Sequence, residues 1–286
     1  MSSILHLFLC RLRFPALALL AGLAAAASSP AAPAAPVQLP ADLGEIVYRA
    51  NSESPFQVFI VANSHRSPIT GANGGQTVRA QIETFRIGEW LIRRNLIELL
   101  LPEGFFGRMA GVGASPRETV PADGESLESR LEDSRVFTNA ELLLHRNYGI
   151  RLCQIEDRTL YLTVRELLCA GLEQGAALSP SFGRELEYLQ ARRSAAILQG
   201  AAAAIEAEYR EGHIAAPRAM VTIGLSHLDE ILRFLKNGRI LIPVPAGAGE
   251  EGQVFASDLE LLKKEVGVTV IVPRILVERA PSERRS

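Results

Sequence analysis

Two histidines follow apolar runs of the kind that forms buried strands. The run at residues 58–62 leads to His65, and the run at residues 219–223 leads to His227; a serine directly precedes each histidine. Open α/β sheets bind their ligands beyond the carboxyl ends of the strands. Both imidazoles are therefore expected at a ligand-binding edge, where a neutral ring can bind a metal ion or accept a proton.

Acidic residues follow two more apolar runs. Glu103 comes one proline after the run at residues 96–101, while Glu156 and Asp157 come directly after the run at residues 149–155. If these four strands are parallel neighbours in one sheet, two histidines and two or three carboxylates meet at one edge. Such a group is typical of a metal site or of acid–base catalysis.

Each of these residues also has a simpler explanation. Ser226 could cap a helix and leave His227 in its first turn as a half-exposed histidine without a task. Glu103 could be a solvated loop acid, and one of Glu156 and Asp157 could cap the helix that follows. Their matching positions at strand ends favour a shared site.

Arg193 is the basic candidate for the same site. It lies on a predicted long helix, residues 183–210, which also carries Arg184 and Arg192. A guanidinium there could bind a carboxylate or hold Glu103 in place. A surface position is the alternative, because the helix carries several arginines.

The elements that position these residues alternate between strand and helix patterns. Beyond the four strands, the sequence predicts helices near residues 76–95, 138–147, 159–172 and 226–235, a strand at 240–242, a helix opened by residues 257–260, and a last strand at 268–272. The alternation predicts an α/β fold with a mostly parallel or mixed central sheet, flanked by helices, whose site lies at the carboxyl edge of the strands.

Two local signals refine this outline. Thr138 and Glu141 have the spacing of a capping box, which predicts that a helix opens there. Residues 104–136 form a long segment rich in Gly, Pro, Ser and charge that follows Glu103 directly. We expect this segment to be a mobile cover over the site.

The N-terminal segment has the features of a cleaved signal peptide. Arg11 and Arg13 precede an apolar core at residues 14–23, and small residues follow up to Ala27. The core is shorter than the roughly 20 residues that span a bilayer. The sequence therefore predicts a periplasmic or secreted protein, with an uncleaved N-terminal membrane anchor as the alternative.

The remaining chain divides by composition into three parts. The sequence predicts an Ala/Pro-rich linker at residues 28–42, a single α/β hydrolase-like domain at residues 43–277 and a charged tail at residues 278–286. No stable membrane span is expected once the signal is removed. The preference for Arg over Lys suggests a bacterial source.

Charge and cysteine content limit the partners. Loss of the two signal arginines takes the formal net charge from −2 to −4. A mildly acidic chain without a basic stripe has no electrostatic basis for binding nucleic acid, so a peptide or small-molecule substrate is expected, with no prediction of oligomeric state. Cys153 and Cys169 are predicted to be free buried thiols, and a disulfide between them is the alternative.

The order of these motifs resembles a known superfamily, the one that includes TraB, GumN, Tiki, ChaN and the erythromycin esterases. Its members show two Gly-x-x-His motifs, an acid after the second strand and an Arg-containing helix ahead of the second histidine. Here the matching segments are residues 62–65, Glu103, residues 193–197 and residues 224–228. The first motif begins with Ala62, where the family has Gly.

The resemblance implies an α/β fold with its site at the sheet edge and, for Tiki-like members, metal-dependent peptidase activity. It implies that His65, His227 and Glu103 hold a divalent ion such as Zn, Mn or Co, which would lower the pKa of a bound water from about 15.7 toward about 7. Glu103 could instead be the general base. Glu156 would orient a ligating histidine, and Arg193 would bind a substrate carboxylate or the oxyanion.

Two other branches of the superfamily imply other functions. Resemblance to the esterase branch implies a metal-free hydrolase in which His65 is the general base. Resemblance to ChaN implies a haem- or iron-binding protein without turnover. The sequence favours the metal-dependent hydrolase and keeps the other two as alternatives.

Overall fold

A computed structural model describes residues 37–64, 74–111, 126–132, 138–174, 179–244 and 252–277 of this chain. The predictions for the signal peptide, the charged tail and His65 lie outside these residues. The strands are β1 (Gly44–Ala50), β2 (Gln57–Asn63), β3 (Leu99–Pro102), β4 (Arg108–Met109), β5 (Arg151–Cys153), β6 (Arg218–Gly224), β7 (Arg239–Pro243), β8 (Gln253–Asp258) and β9 (Gly267–Pro273).

The helices fall between these strands. They are α1 (Gly75–Arg93), α2 (Leu127–Glu132), α3 (Ala140–Tyr148), α4 (Arg158–Gln174), α5 (Pro180–Arg210), α6 (Leu228–Asn237), α7 (Glu260–Lys263) and α8 (Arg274–Val277). A 3₁₀ turn, Leu225–His227, connects β6 to α6. None of the helices in the described ranges is both long enough and apolar enough to cross a membrane.

Seven strands form one sheet in the order β1-β9-β2-β6-β3-β5-β4. The five central strands are parallel, and β1 and β4 pair antiparallel at the two edges. The remaining strands, β7 and β8, form a separate antiparallel pair. The predicted α/β fold with a mostly parallel sheet is therefore confirmed.

The strand sequences explain this arrangement. β2 and β9 are buried along their whole length, and so is β6 after its first residue, as expected for parallel strands covered on both faces. One face packs against α1, α2 and α3, and the other against α5, α6 and α7. Apolar residues on both faces account for the nearly continuous Val, Ile and Leu runs in the sequence.

The strand order places distant parts of the chain side by side. β6 comes late in the chain, yet it lies between β2 and β3. Asn63 is opposite Gly224, and Pro102 is opposite Thr222, so the carboxyl ends of these three strands lie at nearly one level. The four strands singled out by their polar ends are consecutive in the sheet.

Two predictions of local structure were wrong. Residues 104–136 are not one long loop, because β4 pairs with β5, and α2 buries Leu131 completely. The rest of that segment, residues 112–125 and 133–136, lies outside the described residues. Ser257 and Asp258 do not open a helix, since they end β8, and α7 begins only at Glu260.

The sequence pattern also missed the first strand. β1 pairs antiparallel with β9, and its alternating burial gives it a weaker apolar signal than the central strands have. Val37 and Leu39 pack against the core next to β1. Both precede residue 43, at which the sequence predicts that the domain begins.

Candidate functional site

Glu103 lies at the meeting point of two strand ends. The backbone N–H of Glu103 donates to the carbonyl of Thr222 at 3.0 Å, which continues the pairing of β3 with β6 by one residue. Its side chain, 7% exposed, accepts a hydrogen bond from the backbone N–H of Gly224 through Oε2. The other oxygen, Oε1, lies 2.9 Å from Nη2 of Arg193 and 3.4 Å from Nε2 of His227.

Glu156 occupies the equivalent place at the end of β5. Its side chain is fully buried, and one oxygen accepts a hydrogen bond from Nε of Arg193. The other oxygen accepts from the backbone N–H of Gly104 at 2.9 Å. Gly104 has a φ of +73°, a conformation that glycine adopts without steric cost, and it forms the turn directly after Glu103.

Arg193 joins the two carboxylates. It projects from α5 with its side chain 7% exposed, and its guanidinium lies 5.2 Å from the centre of the Tyr161 ring. Burial alone would lower the pKa of Arg193, but the hydrogen bond with Glu156 and the charge of Glu103 outweigh burial and raise it. Arg193 therefore stays charged and holds Glu103 in place, as one of the sequence-based alternatives proposed.

His227 closes the group from the end of the 3₁₀ turn. The residue is 2% exposed, and its Nδ1 lies 2.9 Å from the hydroxyl of Ser194. Ser194 donates its single hydroxyl proton to the carbonyl of Gln190, four residues earlier on α5. The bond between Ser194 and Nδ1 holds the ring so that Nε2 points toward Glu103.

Nε2 of His227 and Oε1 of Glu103 face each other at a distance of 3.4 Å. If the ring carries its proton on Nδ1, both facing atoms are acceptors; if it carries the proton on Nε2, the ring donates to the carboxylate oxygen. The pair can therefore bind a cation or form a hydrogen bond, according to the tautomer of His227.

The structure brings together four of the five predicted site residues: Glu103, Glu156, Arg193 and His227. The fifth, His65, is outside the described residues, although β2, which precedes it, ends directly beside Gly224. Glu156 contacts Arg193 and Gly104 rather than the His227 ring, so its action on a histidine would be indirect.

Two smaller predictions are resolved by hydrogen bonds. Asp157 caps α4, because its side chain accepts from the N–H groups of Thr159 and Leu160 at 2.7 and 3.1 Å. Ser226, in contrast, does not cap α6; the position before the helix is held by His227, and no side chain caps it. The sequence could not separate these cases, since both residues precede a helix.

The thiols are free, as expected. Cys153 is buried and donates to Glu208 at 3.2 Å, while Cys169 is half-buried. Burial, reinforced by the neighbouring Glu208 carboxylate, raises the pKa of the Cys153 thiol to about 11. Cys153 is therefore a poor nucleophile at neutral pH.

Two cavities lie near the Glu103 group. The larger, of about 490 Å³, borders Glu156 and is lined by Gly107, Arg108, Gln154, Ile155, Asp157 and Ala196. The smaller, of about 340 Å³, borders the 3₁₀ turn at Ser226 and is lined by Glu187, Gln190, Asp229, Glu230 and Arg233.

Sequence reasoning missed two residues of this region. Ser194 orients His227, and its signal was a serine within a long helix, where serine has low helix propensity. Glu230 lines the smaller cavity. Burial raises the pKa of Glu230, against the opposing effects of Ser194, Arg233 and His227.

A second group of ligand-type side chains lies at the other end of α5. Glu208, Glu211 and His213 have donor atoms within 4.8 Å of one another and could hold a metal ion. The guanidinium of Arg151 pairs with Glu208, and that of Arg108 lies 3.8 Å from both acids. These positive charges compete with a cation, so this group is a weaker metal candidate than its spacing alone suggests.

Comparisons with protein-family models, with curated proteins and with solved structures gave no match to this chain.

Proposed function

We propose that this protein is an exported, Tiki-like metal-dependent hydrolase that acts on peptides. The observation that carries the proposal is a pair of potential ligand atoms, Nε2 of His227 and Oε1 of Glu103, held 3.4 Å apart in a buried group. Two ligand atoms that each lie about 2.1 Å from one tetrahedral ion are about 3.4 Å apart. The spacing of this pair and its donor types, an imidazole nitrogen and a carboxylate oxygen, therefore fit a divalent cation such as Zn, Mn or Co.

His227 and Glu103 would hold this ion together with His65, which the resemblance assigns to the same set. A divalent ion there would lower the pKa of a bound water from about 15.7 to about 7. Ser194 fixes the ring of His227 through Nδ1, in the way that outer hydrogen bonds orient metal-ligating histidines. Arg193 fixes the orientation of the Glu103 carboxylate by a direct hydrogen bond, and Glu156 in turn fixes Arg193 through its Nε.

A metal-free hydrolase is the second candidate, and a specific observation favours it. Both oxygens of Glu103 already accept hydrogen bonds, one from Arg193 and one from the N–H of Gly224. A carboxylate so engaged is a weaker metal ligand. In this alternative Nε2 of His227 donates a hydrogen bond to Glu103, and His65 accepts the proton of the attacking water.

Elemental analysis of the purified mature protein, followed by hydrolysis assays with a quenched-fluorescent peptide library, tests the proposal. We expect about one divalent ion per chain, loss of hydrolysis with a chelator, and recovery when metal is restored. His227→Ala should lose both metal and hydrolysis. Arg193→Lys should keep the charge but lower kcat, because an ammonium cannot reproduce the planar contacts to both Glu103 and Glu156.

The matched control is His213→Ala, which removes a histidine from the Glu208 group at the far end of α5. This variant should keep its metal and its activity. Loss of metal in His213→Ala but not in His227→Ala would contradict the proposal. Hydrolysis that survives the chelator, with p-nitrophenyl acetate as a second substrate, would favour the metal-free candidate instead.

A further inference from the structure

A buried polar cluster lies at the same edge of the sheet but on its opposite face, and it holds the last residue of β2. Asn63 is fully buried. Its amide nitrogen donates to Glu141 of α3 at 3.3 Å. Its amide oxygen accepts from the backbone N–H of Ser64 at 2.8 Å and from the hydroxyl of Thr84 on α1 at 3.3 Å.

A second side chain ties the two helices to the same strand end. The amide of Gln81, on α1, donates to the backbone carbonyl of Ser64 at 3.0 Å and accepts from the backbone N–H of Ala140 at 2.7 Å. Asn63 and Ser64 are thus fixed by side chains from both α1 and α3. A strand end that merely entered a loop would not need so many buried polar contacts.

Glu141 is the unusual member of this cluster. The residue is 2% exposed, and its second oxygen, Oε2, has no hydrogen-bond partner among the described residues. A buried carboxylate with an unsatisfied oxygen lowers stability, and an apolar side chain of similar size is often neutral or better. The place of Glu141 in the first turn of α3 favours a negative charge, but that does not require burial with one oxygen unsatisfied, which is a pattern expected at functional positions.

The position of the cluster connects it to the proposed site. Asn63 is opposite Gly224 in the sheet, and the N–H of Gly224 donates to Glu103. We infer that Glu141 is a positioning residue which, through Asn63, fixes the carboxyl end of β2 relative to Glu103 and His227. This inference rests on the proposed hydrolase function but has a structural consequence of its own.

The test compares Glu141→Leu with Glu141→Gln in the mature protein. Glu141→Leu removes the acceptor for Asn63, and we expect kcat to fall at least about tenfold with KM nearly unchanged, since a misplacement of about 1 Å can cost about 100-fold. Glu141→Gln keeps an oxygen that can accept from Asn63 and should retain most of kcat. Hydrogen exchange should become faster at residues 62–64 in the Leu variant only.

Glu208→Leu is the control, because Glu208 is an equally buried acid at the far end of the sheet. It should lower the melting temperature without faster exchange at residues 62–64. Unchanged exchange there in Glu141→Leu would overturn the inference, and so would an equal loss of kcat in both Glu141 variants. A wild-type protein that hydrolyses no peptide would overturn the proposed function instead, and the exchange result would then decide the inference alone.

Discussion

At the scale of single residues, the site is defined by how its charges are paired. Arg193 uses Nε for Glu156 and Nη2 for Glu103, so one guanidinium orients two buried carboxylates. Glu103 also accepts a hydrogen bond from the backbone N–H of Gly224, and Glu156 accepts one from the backbone N–H of Gly104. Every charged group is therefore anchored on at least two sides, which leaves little freedom for the Nε2–Oε1 gap to change.

Glu230 provides a pH-dependent test beside this group. Burial raises the pKa of its carboxyl, with Glu187 adding to the effect and Ser194, Arg233 and His227 opposing it. An acid whose pKa is raised by folding stabilises the fold below its ordinary pKa of about 4.3, and this contribution is lost as the pH rises through the raised value. Glu230→Gln should therefore raise the melting temperature more at pH 7 than at pH 4.

Thermal unfolding of both proteins across this pH range measures the difference. Asp229, the exposed neighbour of the half-buried Glu230, provides the control. Asp229→Asn removes a carboxylate from the same helical turn but leaves the carboxyl of Glu230 in place. A melting-temperature difference for Glu230→Gln that stays constant from pH 4 to pH 7 would show that burial of this carboxyl does not limit stability.

At the scale of the elements, α5 carries the functional geometry. Arg193 and Ser194 are consecutive on this helix and contact the carboxylates and His227 respectively, while Glu208 lies four turns later at the other end of the sheet. One helix therefore determines the positions of both the Arg193 guanidinium and the Ser194 hydroxyl, which orients the imidazole of His227.

Glu141 lies in the first turn of α3, so the cap of this helix helps to position the cluster around Glu141. Its cap is Asn139, whose side chain accepts from the N–H of Leu142 at 2.9 Å. Asn139→Ala should lower the free energy of unfolding by about 1 kcal/mol, the usual contribution of such a cap. Urea unfolding measures this change.

Asn139→Asp supplies the matched variant, because aspartate is an equally good cap and its charge interacts favourably with the helix N-terminus. It should unfold at nearly the wild-type urea concentration. Equal destabilisation by Ala and Asp would show that the capping bond is not what holds the start of α3.

At the scale of the whole molecule, the proposed export makes a prediction about the N-terminus. The segment before Ser28 should be removed in a bacterial periplasm, because its apolar core is signal-length and ends in small residues. N-terminal sequencing of protein recovered from the periplasm should begin near Ser28. A recovered chain that still begins at Met1 would favour the membrane-anchor alternative.

The sequence by itself predicted the central strands of the sheet and the polar residues beyond their ends. Apolar runs such as residues 58–62 and 219–223 are too long and too rich in β-branched residues to form surface elements. The polar residues that follow mark the end of each strand. The boundaries of the longer helices α1, α3, α4, α5 and α6 were predicted to within a few residues for the same reason, whereas α2 and α8 were not predicted. These features are local, and local side-chain chemistry determines them.

The helix start at Glu141 shows where local reasoning fails. The spacing from Thr138 to Glu141 correctly predicted that a helix opens there, but it predicted the wrong cap and the wrong partner. Asn139 is the cap, and Glu141 bonds Asn63, which is 78 residues away in the chain. A capping box and a long-range buried contact use the same residue type, so the sequence cannot distinguish them.

Only the tertiary structure decided which strand ends are neighbours. β6 inserts between β2 and β3, and this places His227 against Glu103 and the end of β2 beside Gly224. Backbone hydrogen bonds pair any two strands equally well, so strand order depends on how both faces of the sheet pack against helices far along the chain. The pairing of Arg193 with both carboxylates depends on the same packing, because α5 must cross the sheet at the level of both strand ends.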